Sequence, residues 1–97
     1  MSEPEVVRQI RADVAWMGGD GRFVALTLSA PESLPLLLAD SAALVWQVLT
    51  DGPQDESDIV ARVAAAAGVE TEVVAEDVAA FLRQLERLAL VARTAPT

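Results

Sequence analysis

The chain has 97 residues, which fits one domain, and 53% of them are hydrophobic, so it is expected to fold without disulfides or a structural metal. Its 15 Asp and Glu against 7 Lys and Arg give a net charge of −8, which argues against binding to nucleic acid or anionic membranes. The lack of Cys and His removes thiolate sites, the commonest metal ligand and the commonest general base. No metal, cofactor or catalytic centre is therefore predicted.

The first ten residues, MSEPEVVRQI, lack the basic region and apolar stretch of a secretory signal peptide. Pro31, Pro35 and Asp40 interrupt the most apolar region, so no apolar span of about 18 residues is available to cross a membrane. These observations predict a cytoplasmic protein with a single domain over residues 1–97. Its core is predicted from about residue 6 to residue 92, followed by a short tail.

The first third of the sequence predicts a β-hairpin. Residues 13–17 and residues 22–29 each alternate in hydrophobicity, and the GGDG of residues 18–21 between them is typical of a turn. The first strand has two predicted starts, at residue 13 or, with an irregularity around Arg11, near Val6.

The run LPLLLADSAALVW then combines a strand, a cap and a helix. Residues 34–38 are uncharged, and Pro35 cannot donate a hydrogen bond to a ladder, so this third strand is predicted at a sheet edge. Asp40 or Ser41 is predicted to cap a first helix over residues 41–50, because either side chain can accept a bond from a free backbone N–H.

Two further helices follow. The second is predicted to start at Asp55 and to end at Gly68, and the third is predicted over residues 71–89 with Thr71 as its cap. The fold class is therefore α+β, with a three-stranded antiparallel meander followed by three helices.

Apolar residues at helical spacing predict which faces are buried. Both tryptophans, Trp16 and Trp46, are expected in the core. The other predicted buried residues of the first two helices are Leu44, Val45, Val48, Leu49, Ile59, Val60, Val63 and Ala64. The stripe on the third helix consists of Val74, Val78, Phe81, Leu82, Leu85 and Leu88.

Three segments in this order carry a resemblance to a known family. Residues 38–46, LADSAALVW, resemble its pattern LN-x-T-G-A-x-x-W, and residues 59–69 and 77–90 match its second and third helices. The chain thus resembles the PqqD-like peptide-recognition domains, in particular the stand-alone ones from lasso-peptide clusters. It departs from the pattern at Ser33 and Ala42, where the family usually has Gly, and at Ala39, where it usually has Asn.

The resemblance implies a winged helix-turn-helix-like fold without catalysis of its own. It also implies a function: the leader region of a ribosomally made precursor peptide, often with a Tyr-x-x-Pro element, adds as a strand to residues 34–38. The peptide then lies against the helix 71–89. The implied partners are a separate leader peptidase and an ATP-dependent macrocyclase. The implied peptide-binding residues are Leu34, Pro35, Leu36, Leu37, Leu38, Val74, Asp77, Val78, Phe81, Gln84 and Leu85.

The residues themselves leave alternatives open. An uncharged edge strand suits strand addition, yet residues 34–38 also fit a strand covered by its own fold. Asp77 fits either a ligand contact or a partner for the helix dipole. Ser41, after Asp40, resembles the modified serine of acyl carrier proteins, although carrier domains have no hairpin. A winged-helix DNA-binding function is disfavoured because the third helix is mostly acidic.

Overall fold

The structure is a computed structural model that describes residues 6–30 and 32–94. Within these ranges the chain forms two small antiparallel sheets and three helices, which confirms the predicted α+β class and the meander. The strands are β1 (Val7–Ile10), β2 (Val14–Gly19), β3 (Arg22–Thr27), β4 (Leu36–Ala39), β5 (Gln54–Asp55) and β6 (Val91–Thr94). The helices are α1 (Ser41–Leu49), α2 (Glu56–Ala67) and α3 (Thr71–Arg87).

The meander has the strand order β2-β3-β4. A two-residue turn at Asp20 and Gly21 joins β2 to β3, and both residues have positive φ, 52° and 81°, as tight hairpins require. The third strand was predicted over residues 34–38, but it begins at Leu36 and continues to Ala39. The pairing starts one residue after Pro35, which has no N–H to contribute to a ladder.

A second sheet, which the sequence analysis did not predict, joins distant parts of the chain in the order β5-β1-β6. The N–H of Arg11 donates to the carbonyl of Leu90 at 3.1 Å, and beyond that bond the chain leaves this sheet and enters β2. The long first strand starting near Val6 is therefore two strands in different sheets. The predicted tail is also wrong at Arg93 and Thr94, which belong to β6; its last residues, 95–97, lie outside the described residues.

The two predicted helix caps are not formed as expected. Asp40 precedes α1 with a positive φ of 57°, and neither it nor Ser41 caps the helix with its side chain. Thr71 is the first residue of α3, so Glu70 holds the cap position. Asp55 does cap α2, since its carboxylate accepts from the N–H of Asp58 at 2.8 Å.

The core lies between the inner face of the meander and the three helices, with Trp46 fully buried among them. The prediction for Trp16 is wrong: its side chain is 42% exposed and contacts Trp46 edge to face, with 6.3 Å between ring centroids. Leu44 is only half-buried and Leu88 is exposed. The predicted inner face of α2 is confirmed, and its buried residues are Ile59, Val60, Val63 and Ala64.

Arg8 in β1 is buried and ties three elements together. Its Nε donates to Glu86 of α3 at 2.9 Å, and its Nη1 donates to Glu56 of α2 at 3.0 Å. Because a buried guanidinium is tolerated only when it is paired, these two bonds hold the second sheet against both helices. In the described part of the chain, no helix is long and apolar enough to cross a membrane.

Candidate functional site

The candidate site begins at the free edge of β4. β4 pairs with β3 on one side, and no described segment pairs with its other side. Leu37, in the middle of this strand, is 64% exposed. An unpaired edge presents backbone N–H and C=O groups that another strand can bond.

The register shows which residues of β4 present those groups. The N–H of Leu28, the residue after β3, donates to the carbonyl of Asp13, which lies directly opposite. Every second residue of a strand points its backbone groups to the same side, so Arg22, Val24 and Leu26 also bond β2. The residues between them, Phe23 and Ala25, therefore face β4, where Leu38 and Leu36 are their partners. The backbone groups of the remaining residues of β4 point away from the sheet; these are Leu37 and Ala39.

One cavity, of about 100 Å³, lies between the helices beside the end of β4. Four of its lining residues are predicted site residues on α3, namely Val74, Asp77, Val78 and Phe81. The others are Ser41, Ala42, Val45 and Val63, from α1 and α2. Since a cavity of this size accepts about one apolar side chain, it is suited to anchoring a single residue of a ligand.

A second, wider cavity of about 380 Å³ lies at the other end of β4. The predicted site residues that line it are Leu34, Pro35 and Leu36, and the end of the helical region contributes Leu88 and Leu90. The start of β4 thus lies near the end of α3, and the end of β4 lies near the start of α3. We use the word groove for the surface between β4 and α3 that has the smaller cavity at one end and the wider cavity at the other.

The remaining predicted site residues are not in the groove lining. Leu38 and Leu85 are buried in the core, where they support β4 and α3. Gln84 is exposed on α3 and lines neither cavity. The structure therefore brings Val74, Asp77, Val78 and Phe81 together at one end of the groove and residues 34–36 at the other.

The residues of α1 and α2 that complete the smaller cavity were not predicted from the sequence. Ser41 and Ala42 lie within the segment 38–46 that carried the resemblance, so a signal was present at those two positions. Val45 and Val63 were predicted as core residues, and they are buried, but they also form the cavity floor. Apolar periodicity cannot distinguish these two roles, because both place the side chain on the inner face.

Charge in the smaller cavity comes from Asp77, the charged residue that the described chain places in its lining.

Outside the groove, the junction of the two sheets has an ion pair, in which Arg11 donates to both carboxylate oxygens of Asp13, with Nε to Oδ1 at 3.0 Å. This hydrogen bond lowers the pKa of Asp13 below its ordinary value and raises the pKa of Arg11.

The comparison with protein families matches residues 30–91 to the family described as coenzyme PQQ synthesis protein D, PqqD. The match includes β4, all three helices, the whole lining of the smaller cavity and the lining of the wider cavity apart from Ala25 and Thr27. The chain belongs to the PqqD family. No curated protein sequence matches it. This membership confirms the resemblance on which the site was predicted.

A solved structure titled "TbiB1 in Complex with the TbiA(beta) Leader Peptide" is similar to this PqqD-family chain. The sequences are 25% identical, and the alignment covers 91% of this chain and 99% of the other, with a TM-score of 0.75. The similarity therefore extends beyond residues 30–91 into the part of the chain before them, and TbiB1 is a protein that binds a leader peptide.

Proposed function

We propose that this protein binds the leader region of a ribosomally made precursor peptide by strand addition to β4. The observation that carries the proposal is the free, uncharged edge of β4, where Leu37 and Ala39 present their backbone groups beside an apolar groove. Main-chain bonds to such an edge give affinity, and pockets for alternate side chains give selectivity. The similarity to a leader-bound structure supports the same ligand class.

The bound segment would pair antiparallel to β4 and direct alternate side chains toward α3. The smaller cavity, with Phe81 and Asp77, and the wider one, with Pro35 and Leu88, lie at the two ends of that segment. Pro35 has the same backbone orientation as Leu37 but offers a carbonyl and no N–H. It therefore limits the number of main-chain bonds that a ligand can form with this edge. A short ladder makes the apolar pockets important for affinity.

The test uses two probes, the TbiA(beta) leader peptide and a display library of random 15-residue peptides. We expect at least one probe to yield a peptide that binds with micromolar or better affinity in calorimetry. In amide hydrogen exchange, this peptide should protect the N–H groups of Leu37 and Ala39. Binders that leave both amides unprotected, or the absence of any binder, would contradict strand addition at β4.

Two proline variants distinguish the main-chain hydrogen bonds that β4 makes to the ligand from those that it makes to β3. Leu37→Pro removes an outward donor and should weaken peptide binding about tenfold, because one main-chain bond is lost and the next is disturbed. Leu36→Pro removes a donor to β3 and should mainly lower the melting temperature. Equal effects of the two variants on binding at matched stability would show that the assigned direction of the backbone groups is wrong.

We further propose that the protein is a non-catalytic, cytoplasmic adaptor of lasso-peptide biosynthesis that delivers the precursor to a separate leader peptidase and macrocyclase. The support is the resemblance of residues 38–46, 59–69 and 77–90 to stand-alone members from such clusters. Reconstitution with a precursor, its peptidase and its cyclase should give product many times more slowly when this protein is omitted. Leu37→Pro should reproduce that loss, and an unchanged rate would contradict the delivery role.

A further inference from the structure

The outer face of the meander, which points away from the helices, carries an apolar row. Met17 lies directly opposite Val24, and Val24 lies directly opposite Leu37, so one residue from each strand forms a continuous line across the sheet. Their exposed fractions are 71%, 37% and 64%. The solvent face of an antiparallel sheet is usually polar, so three aligned apolar side chains on that face call for an explanation.

The row ends at the free edge of β4, and its last member is the residue that presents outward backbone groups. A ligand residue that forms an antiparallel hydrogen-bonded pair with Leu37 lies directly opposite it, and its side chain points to the same face. Directly opposite side chains on one face have Cβ atoms about 4.5–5.5 Å apart. An added strand would therefore extend the row from three members to four.

We propose that the protein selects an apolar residue at the ligand position paired with Leu37, on the face of the sheet opposite the groove. The inference rests on the proposed strand addition and goes beyond it, because it names a second face at which the bound peptide is recognised. The occupant is the bound peptide segment itself, since an added strand is the element that continues both the backbone ladder and the apolar row.

The proposal defines a class of ligand. The residues on either side of the one paired with Leu37 point inward, next to Leu36 and Leu38, and enter the groove along α3. If all three positions select apolar side chains, the bound segment contains a short continuous apolar run. Recognition through the groove alone would instead select apolar residues at every second position, with any residue between them.

The first experiment is a selection of peptides from a display library of random 15-residue sequences, followed by alignment of the enriched peptides. We expect three consecutive positions enriched in Val, Ile, Leu, Phe or Tyr, the middle one being the position whose amide is protected together with that of Leu37. Enrichment at alternate positions only, with a middle position open to Ser, Asp or Lys, would overturn the inference while leaving the proposed function intact. No enrichment at all would overturn both.

The second experiment is a double-mutant cycle on one enriched peptide, with calorimetry as the measurement. Leu37→Ser should weaken the binding of the peptide by about two- to fivefold, the value of one apolar cross-strand pair. The same substitution should have no effect on a peptide with Ser at the middle position. Equal losses for both peptides would show that the side chains are not coupled.

Leu28→Ser is the matched control, because Leu28 has the same residue type and the same 64% exposure but adjoins β2 rather than the free edge. It should leave the affinities for both peptides unchanged.

Sedimentation of the unliganded protein tests the other possible occupant of the row, a second copy of this chain. A stable dimer that Leu37→Ser and Met17→Ser dissociate would assign the row to self-association and overturn the proposal.

Discussion

The two sheets of this protein differ in how their edges are protected. In the β5-β1-β6 sheet, one edge strand is two residues long and leads directly into α2, and the other carries the exposed charge of Arg93. In the β2-β3-β4 sheet, neither edge strand carries a charged residue, and on the β2 edge the N–H of Val14 donates to the carbonyl of Arg11 at 3.2 Å. The free edge of β4 has no partner strand among the described residues, and β4 differs from the β2 edge in having a cavity near each of its ends.

Edges of sheets invite association with other chains, and proteins normally blunt them with short strands, charges or coverings. The use of these devices on the second sheet shows that this chain contains the means to protect an edge. β4 is also short and follows Pro35, but it carries no charge, which agrees with a site where association is the function. The second sheet, held by the buried Arg8, provides structure, and the meander provides the proposed binding edge.

Removal of the buried cation of the second sheet should give the largest effect. Arg8→Ala leaves Glu56 and Glu86 without their partner and should lower the free energy of unfolding by about 2–3 kcal/mol. Chemical denaturation measures this value. If the two sheets have separate roles, the peptide affinity of the folded variant should remain within about twofold of the wild type; a large loss would show that they are coupled.

A charge introduced into the groove should have the next largest effect. It should lower the peptide affinity and leave most of the stability in place. Phe81→Asp places a carboxylate in the lining of the smaller cavity, next to Asp77, and should weaken peptide binding about tenfold or more. The half-buried position of Phe81 means that the fold should be retained in part, which circular dichroism can confirm. Phe81→Leu is the control and should bind nearly as well as the wild type. An unchanged affinity of the aspartate variant would place the ligand elsewhere.

A substitution in the Arg11–Asp13 ion pair at the junction of the two sheets should have the smallest effect on stability. Arg11→Gln removes the hydrogen bond to Asp13, so the pKa of Asp13 should rise toward its ordinary value, as NMR titration of the carboxyl group would show. A lowered pKa in the folded state contributes stability above the unfolded pKa, and this contribution is lost as the pH falls through the folded pKa. The stability difference between wild type and variant should therefore disappear in acid. A difference that persists there would indicate a packing role for Arg11.

The parts of the fold that were predicted correctly depend on short stretches of sequence. The alternation in residues 22–29, the start of α2 at Asp55 and its end at Gly68 each follow from local backbone and side-chain preferences. Uncharged residues after a proline likewise indicated an edge strand, although the strand begins two residues later than predicted.

The parts that were missed depend on partners far away in the sequence. β1 and β6 are four residues each, carry polar and charged side chains, and pair across more than eighty positions. Neither strand has the alternation that identifies a strand by itself. Trp16 alternates like a buried residue, but its exposure depends on how closely the segment around Leu49 and Pro53 approaches it, and that approach leaves an open cavity.

The sequence by itself determined the order of the helices and the meander, the family, and the uncharged strand at the centre of the proposed site. The tertiary structure decided which backbone groups of that strand point outward, that Leu37 belongs to an apolar row shared with Val24 and Met17, and how the two cavities lie along α3. The physical reason is that local periodicity fixes the face of each side chain. Register and long-range pairing, which depend on the whole fold, fix what lies next to it.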